Sequence, residues 1–162
     1  MHVISGGQTG VDRAALDAAL ELGLACGGWC PRGRLAEDGP LPQRYPLRET
    51  PTGDYAQRTH WNVRDSDGTL ILTRGRPSGG TGLTARLAER LGRPVLVVDL
   101  AMRPKPTPAE TAAWIAHHRI AKLNVAGPRQ SGARGIYEEA RAFLLALLNP
   151  TGTHADTPDA RP

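Results

Sequence analysis

Cysteine is nearly absent from the 162 residues: Cys26 and Cys30 are the two present, four apart, with no second pair. That spacing matches no zinc-binding pattern and builds no disulfide framework, and two isolated thiols suit a reducing cytosol. Aromatic residues make up 4% of the chain, so the expected core is aliphatic, built from Leu, Val, Ile and Ala. Lysine is confined to Lys105 and Lys122, and the rest of the positive charge is arginine. No apolar run approaches the roughly 18 residues a membrane span requires, and no signal-peptide pattern opens the sequence. A net charge of +4 is too small, and the arginines too scattered, for a nucleic-acid partner. These absences lead to the expectation of a cytoplasmic protein with no membrane or nucleic-acid partner and no structural metal. His117 and His118 lack further ligands to make a site.

What is present in excess is glycine (19) and proline (14). Both fall between periodic segments and act as loop punctuation. His2–Ser5, Leu24–Cys30, Thr69–Thr73, Pro94–Leu100 and Ala121–Val125 read as strands, the second weakened by its three glycines. Helical periodicity covers Val11–Leu22, about Tyr55–Val63, Thr84–Leu91, Ala109–His118 and Ile136–Leu148. Strands that alternate with helices and consist of continuous β-branched runs predict a parallel sheet covered on both faces. The expected fold is therefore α/β, a Rossmann-like three-layer sandwich with a mostly parallel sheet of about five strands. One domain over residues 1–149 fits the length, and the polar, apolar-poor residues 150–162 read as a disordered tail.

Three glycine-rich turns each sit between a strand and a helix: Ser5–Gly10, Ser78–Gly82 and Gly127–Gly135. In an open parallel sheet such turns share the carboxyl edge, where ligands bind. Glycine admits close backbone approach, and helix N-termini favour anions. The candidate phosphate-binding residues are Gly6, Gly7, Gln8, Thr9, Gly10, Arg13, Ser78, Gly79, Gly80, Thr81, Gly82, Pro128, Arg129 and Ser131. No lysine follows any of these glycines as a Walker A loop requires, and none has the G-x-G-x-x-G spacing.

The long stretch 31–53 has a length uncommon for structureless connections. Its Arg32 and Arg34 suggest a lid over the ligand, since a guanidinium fork matches phosphate oxygens. Arginine richness is equally what a GC-rich coding sequence produces. Asp12, Glu37 and Asp38 are possible polar contacts, with first-turn helix carboxylate and solvated loop acids as their alternatives. Trp29, Tyr45 and Trp61 can stack on a flat ring or fill the core.

Ile4-Ser-Gly-Gly-Gln-Thr-Gly-Val-Asp-Arg-Ala14, Gly28-Trp-Cys-Pro-Arg-Gly-Arg-Leu-Ala-Glu-Asp-Gly39, Tyr45-Pro-Leu-Arg-Glu49, Asp67–Leu72, Gly79–Thr84 and Leu123–Arg129 together resemble the molybdenum carrier family, whose members are similar to plant and algal molybdenum cofactor carrier proteins. The resemblance runs to about Leu148. It implies a Rossmann-like fold, a homo-oligomer (dimer or tetramer), and a non-catalytic binding or carrier role for molybdenum cofactor or a related phosphorylated small-molecule ligand. The wider superfamily includes LOG-type nucleoside-monophosphate phosphoribohydrolases, which carry P-G-G-x-G-T-x-x-E. Against that pattern Ser78–Arg86 keeps the glycines but has Leu83 for Thr and Arg86 for the catalytic Glu, which favours binding over hydrolysis. A nucleotide-processing enzyme with its acid at Glu37 or Asp38, or a nucleotide-sensing module, are the rival expectations.

Overall fold

The computed structural model describes residues 1–149, and the expected tail at 150–162 lies outside the described residues. The chain runs β1 (His2–Ile4), α1 (Val11–Glu21), β2 (Ala25–Cys30), β3 (Leu47–Glu49), α2 (Tyr55–Arg64), β4 (Gly68–Thr73), α3 (Gly79–Arg90), β5 (Val95–Asp99), α4 (Pro108–His117), β6 (Lys122–Ala126) and α5 (Ile136–Leu148). The sheet order is β3-β2-β1-β6-β4-β5 with every pair parallel. Helices α1, α5 and α4 pack together on one face and α2 and α3 on the other. The expected three-layer α/β fold is the one observed, with six strands instead of about five.

Each layer follows from residue type. All six residues of β4 are buried, as a strand covered on both faces requires. α1 presents Ala14, Ala15, Ala18 and Ala19 to the core, and these small side chains let α5 lie close with its Ile136, Ala140, Phe143, Leu144 and Leu148. The core is aliphatic as expected, with Tyr45 and Phe143 as its buried aromatic members. α4 starts on a reciprocal capping box, Thr107 with Glu110, and Pro108 opens its first turn.

β2 is a regular strand despite its glycines, because they are where neighbours come close. A Cβ on Gly28 would overlap the Ser5 carbonyl oxygen and the Asn62 side chain. Asn62 uses that space to bond both sides of the Trp29 peptide, accepting from its N–H (2.7 Å) and donating to its carbonyl (2.9 Å).

The stretch 31–53 is more ordered than its composition suggests. It contains β3 and closes a small core of its own, in which Leu41, Tyr45 and Leu47 pack on Leu16 and Cys30. Arg34 holds this loop from inside. Its guanidinium donates to the carbonyls of Leu41 (3.1 Å), Leu47 (3.1 Å), Pro42 (2.9 Å) and Tyr45 (3.0 Å). Arg34 is therefore a brace of the loop, with its donors directed at the loop's own backbone, which departs from the lid role expected of it. Arg32 is exposed.

The two arginines should separate cleanly in a stability measurement. Charge-assisted hydrogen bonds contribute about 1.5–3 kcal/mol each and are not additive. Arg34→Ala should therefore cost at least ~3 kcal/mol, or about 6–12 °C in melting temperature for a domain this size. Arg32→Ala should fall within about 0.5 kcal/mol of the parent. Equal melting curves for the two variants would remove Arg34 from its role.

Candidate functional site

β1, β6 and β4 end side by side at the point where the chain, having built outward through β2 and β3, crosses over to begin β4. Such a switch point leaves a crevice at the carboxyl edge. A cleft of about 370 Å³ lies there, lined from the β1 turn (Gln8, Asp12), from α2 (Tyr55, Arg58, Thr59), from the end of β4 into α3 (Thr73, Arg74, Arg76, Ser78, Gly80, Thr81) and from the β6 turn (Gly127, Pro128, Arg129, Ser131).

Four arginines face this space against one carboxylate, Asp12. Arg58 pairs with Asp12 at 3.1 Å, and both are largely buried. Burial pushes the Asp12 carboxyl up from its usual value, and the Arg58 charge pulls it partly back. Arg74 is tied to Glu139 (2.6 Å) and to the Arg134 carbonyl (2.5 Å). Arg76 makes no hydrogen bond or ion pair among the described residues. Arg129 is exposed, lies over the Tyr55 ring 5.0 Å from its centroid, and forms no ion pair among the described residues, though its charge acts on the Glu37 carboxylate.

The floor contains two donors that nothing accepts. Gln8 is 3% exposed, and its Oε1 accepts from the N–H groups of Thr9 (3.0 Å) and Glu37 (2.9 Å). Two backbone donors fix the amide orientation, since the opposite orientation would set NH₂ against N–H. Nε2 is left buried and unpartnered, and so is Nε of Arg58. A buried donor without an acceptor costs about 1–3 kcal/mol.

The glycines of the first turn serve the fold more than the cleft. A Cβ on Gly6 would overlap the Arg58 guanidinium, and one on Gly10 would overlap the Pro128 carbonyl. Gly7 faces the covering loop, where a Cβ would sit 2.5 Å from Leu47 Cδ1. The Ser78–Gly82 segment is likewise not a free turn. α3 begins at Gly79, ahead of the expected Thr84, so these residues form its first turn, and Ser78 makes no side-chain cap bond. Unlike α1 and α5, α3 has no acid in that turn. Gly79 and Gly80 have open space where a Cβ would go, and Gly80 lines the cleft.

Of the sequence candidates, Gln8, Asp12, Ser78, Gly80, Thr81, Pro128, Arg129 and Ser131 meet in this cleft. Thr9, Gly10, Arg13, Glu37 and Asp38 line a second, more open cavity of about 700 Å³, which shares Ser131. Gly6, Gly7, Arg32, Arg34, Gly79 and Gly82 line neither. Arg86 is exposed and outside both cavities, so its identity says nothing about chemistry in the cleft. The sequence reading missed Arg58, Arg74, Arg76 and Tyr55. Arg74 and Arg76 follow β4 directly at its carboxyl end, a signal that was available; Arg58 and Tyr55 come from a helix whose placement only the fold reveals. Trp29 and Trp61 stack edge to face on each other, and Tyr45 is buried with its hydroxyl on Asp17 at 2.7 Å, so these three are structural. Cys30 is buried and Cys26 half-buried, and burial pushes both thiols up.

The two loop carboxylates act as clasps. Asp38 takes a bidentate contact from Arg13, 2.5 and 3.0 Å, and this holds its carboxyl below the usual range. Glu37 accepts from the Ser131 hydroxyl (2.5 Å), the Ser131 N–H (3.3 Å) and the Thr9 hydroxyl. Those bonds hold it below its usual value as well. A folded-state pKa below the unfolded one contributes stability that is present above the unfolded value and lost as pH falls through the folded value.

An open, all-parallel sheet with helices on both faces and an arginine-lined crevice at the strand switch point defines an α/β protein of Rossmann-like architecture. The sequence pattern of the circularly permuted YpsA SLOG family matches residues 3–148, and the chain belongs to that family. A crystal structure of a protein named a putative molybdenum carrier protein, from Syntrophus aciditrophicus SB, is 45% identical, covers 91% of this chain and 94% of its own, and superposes with a TM-score of 0.85. No curated protein matches the chain. The resemblance noted in the sequence is thereby borne out at the level of family and fold. Among the described residues no helix is long and apolar enough to cross a membrane, and no group of three or more His, Cys, Asp or Glu gathers to hold a metal ion.

The clasps give a pH signature with a defined sign. The melting-temperature advantage of the parent over a Glu37→Gln/Asp38→Asn double variant should be constant above about pH 5, since unperturbed carboxyls titrate near 4. It should shrink as pH falls below 4. An advantage that survives unchanged at pH 3 would mean the carboxylates do not hold the loop by charge.

Proposed function

We propose that the cleft binds the phosphate of a nucleotide-like small molecule and that the chain is a non-catalytic carrier or binding protein for it, with molybdenum cofactor as the first candidate cargo. The observation that carries this reading is the unsatisfied donor set. Gln8 Nε2 and Arg58 Nε lie buried without acceptors, and Arg76 and Arg129 line the same space and form no ion pair among the described residues. Phosphate oxygens are the acceptors such a set suits, because each takes several charge-assisted bonds at once. The first turn of α3, free of acids and uncapped by Ser78, adds backbone N–H groups and the positive end of a helix dipole.

The name of the structural relative supports a molybdenum-linked cargo, and the phosphate borne by molybdopterin fits these donors. No cysteine lines the cleft, so in this reading the cofactor is gripped at its phosphate and the metal end receives no thiolate from this chain. Binding is favoured over glycosidic hydrolysis because Glu37 and Asp38, the acids a relocated mechanism would use, are clasped outside the cleft by Ser131, Thr9 and Arg13.

Arg76→Ala and Arg129→Ala should each weaken binding of a nucleoside monophosphate about ten- to a hundredfold, the equivalent of losing ~1.5–3 kcal/mol, with little change in melting temperature. Gly80→Leu should weaken it similarly by filling the cleft, while Gly80→Ala should raise stability by up to ~1 kcal/mol, since a helical glycine is the costlier residue. Titration calorimetry at two salt concentrations reads all four, with Arg32→Ala as the control. If the Arg76 and Arg129 variants bind like that control, the cleft does not hold phosphate. Multiple-turnover release of free base would replace the carrier reading with an enzyme.

A further inference from the structure

Glu37 is held in a way its loop does not require. The loop is already fixed by the Arg34 bonds to four carbonyls, by its own apolar core, by the Arg13–Asp38 pair, and by the Glu37 N–H bond to Gln8. Beyond all of these, the Glu37 carboxylate reaches over to a different segment of the chain. There it collects the Thr9 hydroxyl from the β1 turn and both the N–H and hydroxyl of Ser131 from the β6 turn. Three donors converging from two turns on one exposed anion form a receptor that is independent of which anion fills it. Ser131 lines both the cleft and the second cavity, so the receptor stands at their junction. Gln8, next to Thr9 in sequence, points an unpartnered and buried Nε2 from the same turn, and it lines the cleft. The Arg129 charge acts on the Glu37 carboxylate as well.

We propose that Thr9 and Ser131 form a second anion subsite, that Glu37 occupies it as an internal stand-in, and that the ligand carries two anionic groups: one phosphate in the arginine cleft, and a second phosphoryl or carboxylate group that displaces Glu37. The proposal rests on the phosphate reading of the cleft. Exchange is chemically balanced, because one anion leaves three donors and another takes them, while the released carboxylate passes to water. Charge favours the exchange with a doubly charged phosphoryl group, since Arg129 lies close to both places. The more open cavity of about 700 Å³ on the far side receives the remainder of the ligand once the carboxylate swings away.

The test is a site-resolved titration of the isotope-labelled protein with inorganic phosphate, followed at the Gly80 and Ser131 amide resonances. In the parent, Gly80 should shift at phosphate concentrations that leave Ser131 unmoved. In Glu37→Ala both should shift, at least tenfold lower in phosphate for Ser131 than in the parent. Adding Thr9→Val to that variant should abolish the Ser131 response and spare Gly80. Where Glu37→Ala does not fold, Glu37→Gln removes the charge, keeps the shape, and carries the same comparison. A Gly80 shift with a silent Ser131 in the variant overturns the second subsite and leaves the cleft standing. A Ser131 shift with a silent Gly80 does the reverse, overturning the two-anion ligand and the cleft reading while the subsite itself remains. Silence at both overturns both.

Discussion

The site depends on the close approach of two backbone turns that lie more than a hundred residues apart. Gly10 has no Cβ because the Pro128 carbonyl occupies that place, and the same carbonyl accepts the Val11 N–H at 3.3 Å. A second tie runs from the Gln130 N–H to the Thr9 hydroxyl at 3.2 Å. Parallel pairing of β1 with β6, His2 against Lys122 through Ile4 against Asn124, sets both turns at one edge. Everything that faces the cleft from β1 and from β6 is positioned by this contact. The covering loop is positioned by it too, because Glu37 bonds to both turns.

With those turns in place, the electrostatics follow from which arginines find partners. Arg58 is neutralised by Asp12, Arg74 by Glu139 and Arg13 by Asp38. Arg76 and Arg129 line the cleft and form no ion pair among the described residues. Two unit charges 4 Å apart interact by about 4 kcal/mol at an effective dielectric of 20 and by about 1 in bulk water. Arg76 and Arg129 are both exposed, so their pull on a charge at the cleft mouth lies toward the bulk-water end of that range.

How much of this was legible in the sequence depends on the range of the interaction concerned. Periodicity placed five of the six strands and all five helices, because local burial patterns encode them. β3 went unread: it has three residues, one of them buried, and it exists because Arg34 and the Leu41–Tyr45–Leu47 cluster hold it. Glycines marked the carboxyl edge, and in the first turn the structure adds a packing reason for them. Gly6 and Gly10 make room for Arg58 and for Pro128, contacts that sequence cannot show. Arg34 was hard to read for the same reason. A guanidinium aimed at four backbone carbonyls and one aimed at a ligand look alike in a string of residues.

The carboxylates give the complementary lesson. Asp12 is an acid in a first helical turn, where exposure would normally let it serve the helix dipole. Here it is buried and paired, with its carboxyl pushed up by desolvation. Glu37 and Asp38 are adjacent in an exposed loop and are held low by the donors they engage. Burial dominates in the first case and hydrogen bonding in the other two, and the directions differ accordingly. Asp12 thus keeps Arg58 fixed in the floor, with the Arg58 Nε buried and unpartnered. The outer pair keep the loop shut over the turns, Glu37 through Thr9 and Ser131 and Asp38 through Arg13. Under the exchange proposed above, an anion would compete for donors that Glu37 already engages, instead of filling an empty, unpaired cradle.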